Sequence, residues 1–440
     1  MKSFTEFGIK VPEILLPKNK DMSVWSVIAC DQYTQDVSYW KRAADCAGSN
    51  PSTLNLILPE VYLESPDRTE RIKNIRKTMN EYLSGGIFDD AKEEFIYIER
   101  KTGYGRIRKG LVVAVDLDSY EWKPMSKALI RATEATIESR IPPRKEIRKN
   151  APIESPHIML LVNDPQHSLV EKTGEQAKKN APVYDSELML DAGHITGWSV
   201  SSEKELEAVH SALDALKKAN SSSDGSSFLF AVGDGNHSLA TAKAVWDEYK
   251  AETGLTDSPV RYALVEIVNI YDEGLTFEPI HRVLFGIDAD AVTAYVQSKL
   301  GGNLTECATA KELEDKVRNS SASFGFVSKA EDGKDKFVLL ETPVTELAVS
   351  RLQPVLDEYM ASQKNADAVS IDYIHGSDEV FRLGAQDSKE KRTVSILLPP
   401  VAKDSFFATI NSRGPLPRKS FSMGEASEKR FYLECRKLFG

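Results

Sequence analysis

The hexapeptide Gly233-Asp234-Gly235-Asn236-His237-Ser238 stands between an apolar run, Phe228 to Val232, and a stretch where Leu239, Ala242, Val245, Trp246 and Tyr249 recur at helical spacing. A short continuous apolar run suits a strand buried on both faces, so the hexapeptide reads as a strand-to-helix junction. The start of a helix presents unpaired N–H groups and a partial positive charge, which suits an anion such as phosphate. A turn in which Asp234, Asn236 or Ser238 caps the helix accounts for the same residues without a ligand.

A second chemical stretch is RATEATIESRIPPRKEIRKNAPIESPH, which contains Arg131 and Glu134 and then Arg140, Arg144, Lys145, Arg148 and Lys149. Guanidinium forks match phosphate oxygens, so such a cluster could hold a polyphosphate. A solvated basic loop is the plainer reading, with Glu134 paired to Arg131 along a helix. His281 and Arg282 are adjacent in EPIHRVL, where a strand would turn them to opposite faces. His375 and Gly376 precede a predicted helix capped by Ser377, and Arg418 and Lys419 occupy a proline-rich turn. Asp31, in ACDQYT at the end of a predicted strand, is either a general base or a turn-forming carboxylate bonded to its own backbone. A P-loop lysine motif, HExxH and GxSxG are all missing from the sequence. Gly103-Tyr104-Gly105 with Gly110 is too loose for a dinucleotide fingerprint and suits a tight hairpin better.

The chain that must position these residues has 440 residues and a net charge of −10. That length allows two or three domains or one large composite. The acidic balance argues against broad nucleic-acid binding, which leaves a basic footprint. Cys30, Cys46, Cys307 and Cys435 are scattered, without the paired spacing of zinc or redox sites. Charge and proline break the N-terminal stretch before a signal-peptide core forms, and no apolar run approaches the roughly 20 residues of a membrane span. The expectation is a soluble, reduced, cytoplasmic protein that binds neither nucleic acid nor membrane; a homo-oligomer is left open.

Periodicity predicts a strand over 24–29, a helix near 38–47, and another over 66–84 closed by Gly85-Gly86. EFIYIERK and KGLVVAVDL suggest a hairpin around Thr102 to Arg108, and HIMLLVND a buried strand. A helix near 203–219 should lead through the flexible NSSSDGSS into the junction. RYALVEIVNIYD and FEPIHRVLFGI read as strands, ELAVSRLQPVLDEYMAS as a helix, and EASEKRFYLECRKLF as a closing amphipathic helix. Without a regular βαβ rhythm the pattern points to a mixed α+β fold. The expected organisation is one composite unit over 1–440: an N-terminal lobe to about 200, a phosphate-loop core over about 201–286, a peripheral insert over about 287–345 and a closing segment over about 346–440.

Taken together, WSVIACDQYT, RATEATIESRIPPR, APIESPHIMLLVNDP, GDGNHSLATAK, PIHRVL, YIHGSDEV and LPRKSFSMG resemble, in order and over nearly the whole chain, the bacterial family labelled domain of unknown function 1015. The family's Asp-Gly-His-His-Arg-like loop is matched at Asp234, Gly235 and His237, whereas Asn236 and Ser238 stand where it has His and Arg. The loop is also similar to the phosphate-binding turn of free serine kinases, in the ParB/sulfiredoxin-like fold. That resemblance implies a ParB/sulfiredoxin-like core elaborated by additional strands and helices. It implies phosphoryl transfer from pyrophosphate, ADP or ATP to a small metabolite's hydroxyl, free L-serine being favoured, with Mg²⁺ and no organic cofactor.

On that resemblance Gly233, Asp234, Gly235, Asn236 and Ser238 would hold phosphate, with Asp234 binding the metal or orienting His237. Arg131, Arg140, Arg144, His281, Arg282 and Lys419 would close on the same turn, with His375 and Arg418 as further phosphate- or substrate-binding candidates. Asp31, Glu134 and His237 are the catalytic candidates. Asp31 ranks first because the serine kinases place their carboxylate base in a segment before the phosphate loop. A non-catalytic phosphate- or nucleotide-binding metabolite sensor is the rival reading. The DNA-partitioning branch of the fold is disfavoured by the acidic charge and the lack of a helix-turn-helix. The sulfiredoxin branch is disfavoured because no cysteine lies between 227 and 246.

Overall fold

The computed structural model describes residues 3–222, 224–363, 369–386 and 392–439, so Ser223 of the serine-rich stretch lies outside them. The fold is mixed α+β and divides into two compact units, Met1–Leu275 with Gly424–Gly440, and Thr276–Met423. The expected insert near 287–345 falls within the second unit, as does most of the expected closing segment, whose last residues return to the first.

A ten-stranded mixed sheet organises the first unit. Its middle runs Phe95–Thr102, Ile107–Asp116, Tyr262–Asn269, Met159–Val162, Phe230–Asp234 and Ile130–Arg131. Phe95–Thr102 and Ile107–Asp116 form the expected antiparallel hairpin. Tyr262–Asn269 is buried along its whole length, as a central strand covered on both faces requires. The helix Arg68–Ser84 and the helix Glu203–Ala219 lie where their periodicity put them, the latter opened by a capping box from Ser202 and Glu205.

Two local expectations fail. The segment predicted as a strand over 24–29 instead forms the short helix Met22–Trp25, capped by Asp21, and only Val27–Ile28 is extended. The predicted closing helix does not form: after a 3₁₀ turn at Ala426–Glu428 the chain runs extended, pairing Phe431–Tyr432 with Val27–Ile28 and Arg436–Lys437 with Ile153–Glu154. An amphipathic helix needs a wet face, and this segment has none. Arg430, Phe431, Tyr432, Leu433, Glu434, Cys435 and Arg436 are all buried.

Paired charges make that burial tolerable. Arg430 donates to Glu266 Oε2 and to Glu434 Oε2, each at 2.5 Å, and to the Pro156 carbonyl at 3.2 Å. Arg108 reaches Glu266 Oε1 at 3.3 Å, and the Tyr184 hydroxyl donates to Glu434 at 2.5 Å. Burial works to raise the Glu266 carboxyl, but Arg108 and Arg430 outweigh it and hold it below its usual value. Arg100 further ties the segment down through the carbonyls of Lys429 and Ser427, both at 2.8 Å.

The second unit is built on a six-stranded antiparallel sheet in which His281–Phe285 lies between Thr393–Leu397 and Ser370–Ile374. The helix Ala348–Ala361 forms as expected. The helix Ser377–Gly384 has Gly376, not Ser377, at its N-cap, because the Ser377 hydroxyl donates to Glu314 instead.

Removing Arg430 leaves Glu266 and Glu434 buried without their shared cation. Arg430→Met should therefore cost about 3–5 kcal/mol in denaturant unfolding. His281 supplies a pH test for the second unit. Burial, with Arg282 and His375 nearby and only Glu314 opposing, lowers its pKa from 6.5 to about 4. Between those values the unfolded chain takes up a proton that the folded one refuses. Stability is thus complete above pH 6.5 and is lost towards pH 4, by roughly 3 kcal/mol at most. Hydrogen exchange of the His281–Phe285 amides should accelerate over that window, and His281→Asn should flatten the dependence.

Candidate functional site

The strand Phe230–Asp234 runs antiparallel to Met159–Val162, with Met159 opposite Asp234. That register sets the segment just before Met159, including His157 and Ile158, beside the junction. Gly235 then turns the chain with φ +82°, and the helix Asn236–Thr253 begins at the next residue. A Cβ on Gly235 would lie 3.0 Å from Ile158 Cγ1 and 3.2 Å from its Cα, so both handedness and space ask for glycine.

No side chain caps this helix. The candidate caps are engaged elsewhere. Asn236 Oδ1 accepts from the Thr133 N–H at 3.1 Å, its amide donates to Thr133 Oγ1 at 3.2 Å, and Thr133 Oγ1 donates to the Val232 carbonyl at 2.5 Å. His237 Nε2 accepts from the Ile137 N–H at 3.4 Å. Asp234 Oδ1 accepts from the Gly235 N–H at 3.2 Å, while its Oδ2 lies 3.5 Å from the mostly buried Lys429 ammonium. The segment 133–137 is thereby laced to the junction, and Glu134, half-buried, lies within it.

Ser238 leads into a chain of buried polar groups. Its Oγ is 2.8 Å from His157 Nε2, and His157 Nδ1 is 2.9 Å from the Tyr432 hydroxyl, which accepts from the Cys30 N–H at 3.3 Å. Burial, then Cys30 and Asp31, push the Tyr432 phenol well above its usual value, and burial likewise pushes the Cys30 thiol up. Cys30, His157, Ser238 and Tyr432 all line one cavity of about 150 Å³, together with Arg144 and Glu60. Asp31, half-buried, is the next residue after Cys30, and Gln32 Nε2 donates to its Oδ1 at 3.1 Å.

The basic stretch is the short helix Ile141–Arg148 and not a loop, opened by Pro142 and Pro143, which suit a first turn. Its charges are neutralised from several directions. Arg144 pairs with Glu60 at 2.5 Å, Arg148 with Glu154 at 2.6 Å, and Lys149 with Glu248 at 2.6 Å; Lys145 also pairs with Glu248. Arg140 is exposed. Arg131 is nearly buried, stacks on the Phe228 ring at 4.5 Å and donates to the Ala128 carbonyl at 2.8 Å. Those partners lie towards the start of the junction strand, not at its turn.

Five of the expected ligands belong to the second unit. His281 Nδ1 accepts from the Leu398 N–H at 3.0 Å, and Arg282 donates to Gln353 at 2.7 Å and to the Ile280 carbonyl at 2.6 Å, both side chains being buried. His375, Arg418 and Lys419 are exposed, Lys419 with φ +58°. Sequence reasoning missed His157, Lys429 and Tyr432. His157 stood in a quoted segment but carried no spacing signal, and the other two were hidden in the misread closing helix. Among the described residues no group of three or more His, Cys, Asp or Glu could hold a metal ion, and no helix is long and apolar enough to cross a membrane.

The chain belongs to the family described as Protein of unknown function (DUF1015), whose model matches residues 13–359. No curated protein matches it. Among solved structures it is similar to a free serine kinase in complex with AMP, at 14% identity and a TM-score of 0.36, over 74% of this chain and 92% of that one. A conserved hypothetical protein from Pyrococcus furiosus gives 13% and 0.34, over 74% and 95%. C-terminally truncated SbnI from Staphylococcus aureus gives 9% and 0.34, over 73% and 82%.

Gly235→Ala should destabilise the protein by about 1–2 kcal/mol from the left-handed backbone alone, with the Ile158 contact adding to it. Gly105→Ala, at φ +79° with open space around its Cβ, isolates the backbone share. Parallel urea titrations that gave equal losses would remove the Ile158 contact as a constraint on the turn.

Proposed function

We propose that the protein is a small-molecule phosphotransferase. It moves a phosphoryl group from pyrophosphate or a nucleotide to the hydroxyl of a small metabolite, free L-serine being the acceptor that the family-like motifs favour. The observation that carries this reading is the uncapped first turn of Asn236–Thr253, reached through left-handed Gly235, with the side chains of Asn236 and Ser238 bonded to Thr133 and His157. Amides at such a turn, with the helix dipole behind them, suit a phosphate.

Phosphoryl transfer depends mainly on positioning and charge neutralisation. Lys429 stands at the junction of a chain that has Ser238 in place of the family's arginine, and a phosphate there would share it with Asp234, its present partner at 3.5 Å. The pairing of Arg144, Lys145, Arg148 and Lys149 with carboxylates weakens the case for that cluster as the arginine's substitute. Asp234 is suited to Mg²⁺, which phosphate sites hold through one or two carboxylates and the phosphate oxygens themselves. The metal would neutralise charge on the transferring group.

Asp31 is the base in this reading, with Glu134 second and His237 nearer the donor. The proximity of Asp31 to the Cys30–Tyr432–His157–Ser238 chain supports that ranking.

Incubation with Mg²⁺, each donor and a panel of amino-acid and polyol acceptors should give a phosphorylated product visible by ³¹P NMR. Saturable donor binding without turnover across the panel would support the sensor instead. Asp31→Asn keeps the shape and removes the base, so turnover should fall about 10²–10⁴-fold while donor binding survives. Near-normal turnover in that variant, with Glu134→Gln inactive, would move the role to Glu134.

A further inference from the structure

The cavity beside the junction is walled mainly by hydrocarbon, with Leu56, Leu58, Leu63, Met79, Ile153 and Leu264 among its lining residues. Its volume of about 150 Å³ gives room for a guest of about benzene size. The charged side chains that reach it are paired with one another, and the buried Arg148 Nε alone of their donors is left without a partner. Arg144 is paired with Glu60 at 2.5 Å, and Arg148 with Glu154 at 2.6 Å. Glu154 also takes Arg436 at 2.5 Å and the Leu264 N–H at 3.0 Å. A zwitterion entering here could set its carboxylate against Arg148 Nε, but its ammonium would have to compete with an arginine for Glu60 or Glu154 or lose its hydration uncompensated.

One part of the lining is polar and uncharged by pairing. Ser238 and Thr241, from the first two turns of Asn236–Thr253, border the cavity with His157 and Tyr432. The Ser238 hydroxyl faces His157 Nε2 at 2.8 Å, and Tyr432 fixes the other ring nitrogen at 2.9 Å. Both ring nitrogens of His157 are thereby used, so Ser238 Oγ, which keeps further hydrogen-bonding capacity, is the group that can take a single ligand hydroxyl. Because Ser238 is the third residue of the helix, a ligand hydroxyl there lies next to the turn proposed to hold phosphate.

We propose that this cavity is the acceptor pocket, and that its acceptor is an alcohol with an apolar body of about benzene size, seated with its hydroxyl on Ser238 Oγ, in place of a zwitterionic amino acid. The inference rests on the phosphotransferase reading for the word acceptor but not for the binding. In the reaction the acceptor oxygen would form a bond to the donor's terminal phosphorus as the bridging P–O bond breaks. Phosphate or the shortened nucleotide would leave, and the acceptor proton would pass to the base.

Benzyl alcohol, toluene and L-serine are suitable probes, titrated into the full-length protein by ligand-observed NMR without donor. Benzyl alcohol should bind about tenfold more tightly than toluene, the worth of one hydrogen bond. Ser238→Ala should shrink that ratio towards one while keeping toluene binding, and millimolar L-serine should displace neither probe. Leu63→Trp, at a half-buried lining position, should abolish both while leaving the far-ultraviolet circular dichroism unchanged. No benzyl alcohol binding, displacement by L-serine, or unaltered binding in folded Leu63→Trp would overturn the proposal. The two readings fail separately when Mg²⁺ and each donor are added. Phosphoserine formed without benzyl alcohol binding sinks the pocket alone, and benzyl alcohol bound with no transfer to any acceptor sinks the phosphotransferase alone.

Discussion

The first unit depends on the buried charge chain of Glu266, Arg430 and Glu434. Glu266 sits at the middle of the sheet, on the strand Tyr262–Asn269, with no exposure. A carboxylate there is costly unless cations reach it, and Arg430 and Arg108 do so from the last segment of the chain and from the neighbouring strand. Arg430 in turn binds Glu434, so the final residues are fixed at two points one helical turn apart in sequence but in extended conformation. A buried pair of this kind gives modest net stability, yet it tolerates few alternative arrangements. Any other path for the segment strands at least one charge.

That constraint reaches the candidate site because of what lies around Arg430. Lys429 precedes it and approaches Asp234 of the junction, while Tyr432 follows two residues later and holds His157. The junction is fixed from its other flank by Thr133, whose backbone and hydroxyl both bond Asn236. Glycine at 235 lets the turn lie against Ile158 without displacing it.

Electrostatics divide the site into two kinds of ground. At the turn, the helix start without a side-chain cap lies beside the Lys429–Asp234 pair. Around the cavity, arginines and glutamates cancel at short range, and the surface offered to a guest is aliphatic with one hydroxyl–imidazole pair. The basic helix Ile141–Arg148 contributes mainly to structure, since its cations bind the carboxylates of Glu60, Glu154 and Glu248.

By itself the sequence determined the elements whose signal is local. The strand–glycine–helix junction, the hairpin of Phe95–Thr102 with Ile107–Asp116, and the helices Arg68–Ser84 and Glu203–Ala219 all follow from periodicity, caps and turn residues within one window. The family was legible too, because its motifs keep their order along the chain. Only the tertiary structure decided the closing segment, whose 3.6-residue apolar pattern lost to burial on all sides and to charge partners far away in sequence. It likewise decided that Arg144 and Arg148 meet glutamates, that Arg131 stacks on Phe228, and that His157, Tyr432 and Lys429 gather at the junction. Burial and pairing are properties of distant residues brought together, and neither composition nor spacing within a segment encodes which partner a charge will find.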